Sequence, residues 1–387
     1  MIRNYRIKRN IILFTVLLAF ASLLSACGSG SSESSSGNDS DSASGESLAI
    51  VTTIFPEYDW VKEILGDQAD SVELTWLTDS GVDLHSYEPS VDDMILISTC
   101  DVFIYVGGES DAWVDDALEN ASNSDRIVIN LLDVLGDAAK EEETVEGMQA
   151  EDEDGETADA ESGDDETADT ESEDGGATGA ESEDDEAADA ESGDESQAEE
   201  GSDAEDETEY DEHVWLSLKN AEIFCEEIAV VLSEADPANA DTYEANTQSY
   251  IEELNALNAL YEAAAESAAY DTLVFGDRFP FRYLVDDYGI SYYAAFAGCS
   301  AETEASFETV AFLAGKMDEL GLPAILTLEG SSDGIAETIV SSMENSEDVE
   351  ILSLNSMQSV TAENVSGGMT YLSVMESNLE VLKKALN

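Results

Sequence analysis

The chain has 387 residues, 90 Asp plus Glu against 13 Lys plus Arg, two histidines and a formal net charge of −77. A field of that sign excludes nucleic acid and anionic lipid headgroups as partners recruited by charge. The length leaves room for two lobes of ordinary domain size.

Arg3, Arg6, Lys8 and Arg9 precede an apolar run from Ile11 to Leu24 that is too short for a stable membrane span. Residues 1–26 read as a signal peptide. Leu24-Ser25-Ala26-Cys27 matches the lipobox, in which the cysteine is acylated and becomes the first residue of the mature chain. Residues 27–47, rich in Ser, Gly and Asp, read as a flexible tether. The expected location is extracytoplasmic, held to the outer face of the cell membrane by lipid on Cys27.

Residues 48–236 then alternate strand and helix signals. Apolar β-type runs cover Leu48–Ile54, Val72–Leu77, Val102–Val106 and Arg126–Leu131. Helical spacing covers Phe55–Leu65, stopped by Gly66, then Ser90–Ser98 with Ser90 as N-cap, and Asp111–Glu119. After an acidic insert, Leu218–Ala235 is amphipathic and Asp236-Pro237 breaks it. Residues 237–268 form a helical stretch longer than a usual domain helix and are expected to bridge two lobes. In residues 269–387 the strands are Thr272–Phe275, Ala324–Leu328 and Val349–Leu354. The helices there are Phe281–Tyr288, Ser306–Leu320, Gly334–Met343 and Met369–Leu386. The expected class is α/β: two βα-type lobes on mostly parallel sheets, joined by a long connecting helix, with the ligand in the interlobe cleft.

The insert, residues 138–211, is expected to be disordered. Between Glu141 and Glu212 the sequence holds 36 Asp plus Glu, no Lys, Arg or His, and few large apolar side chains. Such a segment cannot bury enough surface to offset its ordering entropy. It is either a solvated loop or a weak collector of divalent cations, with Glu205, Asp206, Glu207, Glu209, Asp211 and Glu212 leading into His213. Cys100, Cys225 and Cys299 show no CxxC or CxxH spacing and read as buried small hydrophobes.

Both histidines sit in turn-rich words: Gly81-Val82-Asp83-Leu84-His85-Ser86-Tyr87-Glu88-Pro89 and Asp211-Glu212-His213-Val214-Trp215-Leu216-Ser217. Imidazole is a versatile ligand for zinc and its neighbours. A chain that keeps one histidine in each of two such loops uses them as a pair. No His-Glu-x-x-His, no Gly-x-Ser-x-Gly and no third histidine is present, so no hydrolytic enzyme is expected.

The order of lipobox, Thr52-Thr53-Ile54-Phe55-Pro56, the His85 word, a charged insert, the His213 word and Tyr243-x-x-Asn246 resembles the zinc/manganese solute-binding lipoproteins of ABC transporters. The resemblance runs from about Leu48 to the end. It implies a monomeric receptor that captures a divalent transition metal, Zn2+ first and Mn2+ or Fe2+ as alternatives. The receptor delivers its ion to a cognate permease and its ATPase; a surface adhesin is the alternative role. It implies His85 and His213 as first-lobe ligands. In the second lobe the family's third and fourth ligand positions fall on Arg278 and Asn355. Arginine cannot ligate a metal, and an amide oxygen is a poor zinc ligand. Asp277 and Glu329 are therefore the expected substitutes, with Glu302 and Glu304 behind them.

Overall fold

The computed structural model describes residues 47–119, 121–149, 209–300 and 304–387. Cys27, Glu205, Asp206, Glu207 and Glu302 lie outside the described residues, as do the signal peptide and almost all of the tether.

The first lobe is a parallel sheet of β1 (Ala49–Thr52), β2 (Glu73–Trp76), β3 (Val102–Tyr105) and β4 (Ile127–Asn130), in the order β2-β1-β3-β4. α1 (Phe55–Leu65) starts with Pro56 in its first turn, and the Glu57 carboxylate accepts the N–H groups of Thr53 and Ile54. It ends at Gly66, at φ +53°. α2 (Val91–Thr99) is capped by Ser90, whose Oγ accepts the Asp93 N–H. α3 (Trp113–Glu119), a short α4 (Leu131–Leu135) and α5 (Leu218–Ala235) complete the lobe.

α6 (Ala240–Glu266) follows, 27 residues long, or about 40 Å at 1.5 Å per residue. It packs on α1 and α5 of the first lobe. The second sheet holds β5 (Thr272–Phe279), β6 (Ser291–Ala297), β7 (Ala324–Leu328) and β8 (Glu350–Leu354), all parallel, in the order β6-β5-β7-β8. Its helices are α7 (Arg282–Tyr288), α8 (Phe307–Leu320), α9 (Gly334–Ser342), α10 (Ala362–Ser366) and α11 (Tyr371–Ala385). α7 and α11 both pack on α6, so the long helix spans the two lobes as expected. Both sheets share one strand order, and each switches direction beside its first strand, the place where such sheets receive ligands. No helix among the described residues is long and apolar enough to cross a membrane.

Two strands depart from the expectations. β6 reads Ser-Tyr-Tyr-Ala-Ala-Phe-Ala, and its alanines carry no β-branched signal; pairing with β5 along its length makes it a strand. β5 runs on through Gly276-Asp277-Arg278-Phe279, with an irregularity between Phe275 and Arg278. The apolar signal in the sequence ends at Phe275, four residues short of the strand.

The lobes are less separate than their sequence boundaries imply. One apolar cluster contains Ile50, Trp60 and Phe224 from the first lobe and Phe275, Leu326 and Tyr371 from the second. Trp60 stands edge-on to Tyr371 with ring centroids 5.2 Å apart. Trp215 Nε1 donates to Ser356 O at 2.9 Å, and the Tyr371 hydroxyl donates to Trp215 O at 2.8 Å. The Tyr371 N–H donates to Asp59 Oδ2 at 2.7 Å. Ser80 and Thr361 form an isolated antiparallel bridge.

The insert boundary also needs correction. Residues 138–149 and 209–211, placed in a structureless insert, have definite structure. Glu141 and Tyr210 form an antiparallel bridge. The Lys140 N–H donates to the Tyr283 hydroxyl at 2.9 Å, and the Gln149 N–H to Ala295 O at 2.9 Å. Lys140 Nζ pairs with Asp286 at 2.9 Å, and Arg282 pairs with Glu143. Composition predicts disorder because no apolar face is visible there. Main-chain pairing and ion pairs with α7 supply what the segment lacks.

Candidate metal centre

His85 lies in the 3-10 turn Leu84–Ser86 that follows β2, at the carboxyl end of the first sheet. Asp83 caps that turn, its Oδ1 accepting the His85 N–H at 3.1 Å. His213 is fully buried and immediately precedes the 3-10 turn Val214–Leu216. Asp211 Oδ1 lies 2.9 Å from the His213 main-chain nitrogen and 3.0 Å from His213 Nδ1. His85 Nδ1 lies 2.7 Å from Ser110 Oγ and 3.3 Å from Glu212 Oε2.

With each Nδ1 turned to an acceptor, each Nε2 is the nitrogen left for other work. The two Nε2 atoms face one another at 3.0 Å. Two neutral rings that donate through Nδ1 point lone pairs at each other there. A shared proton or a cation between them relieves that repulsion. The sequence pairs these histidines from 128 residues apart, and the fold brings them together.

Asp211 and Glu212, expected as weak cation attractors, are instead buried supports of the two rings. Burial works to raise the Glu212 carboxyl; hydrogen bonds from His85 and from the Ser110 side chain and N–H outweigh it and hold it low. Asp83 behaves likewise: burial raises it, and the charges of His85 and Arg278 outweigh burial. Glu209 lines a cavity of about 770 Å³ together with His85, Ser110, Glu142, Glu212 and Cys299.

The second lobe is arranged differently from the expectation. Asp277 is buried, its Oδ2 accepting the Leu328 N–H at 3.0 Å and its Oδ1 the Arg278 N–H at 2.9 Å. It ties β5 to β7. Glu329 accepts the Ser356 N–H at 2.7 Å and the Ser356 hydroxyl at 2.8 Å. Burial raises its carboxyl. Arg278 reaches across to Asp83, Nη2 to Oδ2 3.0 Å. Asn355 Oδ1 accepts the Met357 N–H at 2.8 Å, and Glu304 is exposed.

Among the described residues, a ring nitrogen of His85, a ring nitrogen of His213 and the Cys299 sulfur lie within 4.8 Å of one another. Neither Asp277 nor Glu329 belongs to that group: the Asp277 oxygens accept main-chain N–H groups of their own lobe, and those of Glu329 accept the Ser356 N–H and the Ser356 hydroxyl. Cys299 is hidden in the sequence because it follows β6, itself without a strand signal, and has no partner at short spacing. Gln358 is hidden too. Met357 adopts φ +66°, a left-handed conformation that costs about 1 kcal/mol or more outside glycine. The turn it makes brings Gln358 Nε2 to 3.3 Å from His213 Nε2. No sequence signal announces it.

Residues 50–385 match the model of the family described as zinc-uptake complex component A, periplasmic. The chain is 28% identical over 374 residues to the high-affinity zinc uptake system protein ZnuA of Bacillus subtilis, with 97% of each chain covered. It is 31% identical over 341 residues to the zinc-binding lipoprotein AdcA of Streptococcus pneumoniae; that alignment covers 87% of this chain and 55% of AdcA, so the chain spans about half the length of that relative. The crystal structure of the Zn(II)-bound ZnuA-like domain of that AdcA superposes with a TM-score of 0.59 at 25% identity, covering 88% of this chain and 98% of the domain. These relatives are receptors, not enzymes. Two parallel-sheet lobes on a long helix, a facing histidine pair at their junction and a match along nearly the whole folded chain establish that the protein belongs to the periplasmic zinc-uptake component A family.

Proposed function

We propose that the protein is an extracytoplasmic zinc receptor that binds Zn2+ between His85 and His213 and hands it to the permease of an ABC transporter. The Nε2 to Nε2 approach at 3.0 Å carries this reading, since a cation is what two opposed imidazole lone pairs accept. The orienting carboxylates Asp211 and Glu212 fix the rings for that purpose. The zinc-binding names of the ZnuA and AdcA relatives support zinc over manganese or iron. Lipid on Cys27 and the tether of residues 27–47 would keep the receptor near its permease.

The test is metal content by mass spectrometry after stripping and reloading, wild type beside His85→Ala. One zinc per wild-type chain and none in the variant is the expected result. Equal zinc in both would remove His85 from the site. Stoichiometric manganese or iron instead would change the cargo.

A further inference from the structure

The histidine pair belongs to the first lobe, and a receptor that holds its ion between lobes needs a ligand from the second. Both Asp277 oxygens accept main-chain N–H groups, Glu329 is held by the N–H and hydroxyl of Ser356, and Arg278 pairs with Asp83. We propose that Cys299 supplies the second-lobe ligand, as a thiolate, making a His2Cys zinc centre with His85 and His213. This inference rests on the zinc-receptor reading and deepens it.

Three observations converge. The first is the grouping of the sulfur with a nitrogen of each ring within 4.8 Å. Zn–N bonds of about 2.0–2.1 Å and Zn–S bonds of about 2.3 Å put ligand atoms of a tetrahedral centre about 3.3–3.6 Å apart. The two Nε2 atoms, 3.0 Å apart, need only open slightly while the sulfur closes in from within 4.8 Å. The second is how the segment reaches the ring. Gly298 stands so close to His213 that a Cβ there would meet Cε1 at 2.9 Å and Phe279 O at 2.9 Å. A side chain at 298 would push the 298–300 segment off the imidazole, so glycine is what lets Cys299 approach. The third is access. Cys299 and His85 line the same cavity, whose other walls include Glu142, Glu209 and Glu212. As zinc binds, the sulfur exchanges its proton for the metal, and the proton leaves to solvent through the same opening.

The consequence is selectivity. Two imidazoles completed by carboxylate oxygens suit zinc and manganese alike, whereas a thiolate favours zinc strongly over the harder Mn2+. Cys299 would then do by ligand softness what another second-lobe ligand set does by geometry.

The experiment uses the reduced, metal-stripped protein titrated with Co2+ and, separately, with Zn2+. The expected result is a sulfur-to-cobalt charge-transfer absorption in the near ultraviolet that saturates at one equivalent. It should be absent in Cys299→Ser, whose circular dichroism checks folding. Zinc should also shield one thiol of the wild type from alkylation. The zinc-over-manganese preference of Cys299→Ser should fall by about tenfold or more. If the wild type binds one zinc but shows no charge-transfer band and leaves the Cys299 thiol unshielded, this inference is overturned and the receptor reading stands. If no stoichiometric zinc binds at all, both are overturned.

Discussion

Arg278 Nη2, on strand β5 of the second lobe, lies 3.0 Å from Asp83 Oδ2 in the first. Asp83 is also the residue whose other oxygen holds the His85 N–H and receives Gln358 Nε2 at 3.1 Å. One carboxylate thus joins the lobes and sets the loop that carries His85. Both side chains are about three-quarters buried. A double-mutant cycle of Arg278→Gln and Asp83→Asn should give a coupling of about 1 kcal/mol at pH 7. The Asp83 carboxyl is held below its ordinary value in the fold. Its contribution is therefore present above the unfolded value and disappears as pH falls through the folded one. Urea titrations at pH 7 and at successive steps below the ordinary carboxylate value check both points; a coupling that shows no decline as the acid titrates would contradict the assignment.

Under the proposed function, Asp211 and Glu212 would each act on zinc through the histidine they contact. Asp211→Asn keeps the shape of the side chain but weakens its hold on His213 Nδ1, 3.0 Å away. Zinc affinity is expected to drop by about 10–100-fold. Glu212→Gln should cost less, because Ser110 Oγ remains 2.7 Å from His85 Nδ1. Competition against a chromophoric chelator ranks them, and the reverse order would mean that His85 is the more dependent ring.

Asp59 gives a separate dependence on pH. It is 1% exposed and accepts the Tyr371 N–H at the seam between α1 and α11. Burial pushes its carboxyl from 3.8 up to about 6. A raised folded value means that the fold prefers the protonated acid. Its contribution is complete below about pH 4 and is lost as pH rises through about 6. Between those two values the fold gives up roughly 1.4 kcal/mol for each step of one in pH. Asp59→Asn should flatten that part of the stability profile relative to wild type. Parallel slopes for the two proteins between pH 4 and 7 would contradict it.

Deletion of the acidic segment should depend on where the cuts fall. Removal of residues 150–208 leaves the Glu141–Tyr210 bridge, the Lys140–Asp286 pair and the Gln149–Ala295 bond in place. The fold and one tight zinc site should persist, and any weak extra binding of divalent cations should fall. Removal of residues 138–149 as well strips those contacts from α7 and β6, and the melting temperature should drop by several degrees. Scanning calorimetry and equilibrium dialysis on the two deletions check this. Loss of tight binding in the shorter deletion would place ligands within 150–208.

Much of the fold is legible in local signals. Gly66 stops α1 and Ser90 caps α2 where their chemistry places them, because caps and breakers act within a few residues. The run Ala324–Leu328, apolar but for Thr327, is a strand buried along its length, as its composition suggests in a parallel sheet. β6 is not legible, since alanine has no strand preference of its own. The order of residues 138–149 is hidden as well, because it comes from Tyr283, Asp286 and Ala295, far along the chain.

By itself the sequence determined the α/β lobes, the long helix and the two histidines as a pair, because periodicity, capping and rare residue types are properties of short words. Only the tertiary structure decided what surrounds that pair. Asp277 and Glu329 have the right chemistry for ligands, but the register of β5 on β7 turns Asp277 to main-chain N–H groups and the turn at Ser356 turns Glu329 to the N–H and hydroxyl of that serine. Cys299 has the look of an ordinary small hydrophobe until the glycine beside it lets the chain close on His213. A ligand set is a relation among side chains scattered along the sequence. The strand pairings and close approaches that create it arise only when the lobes pack together.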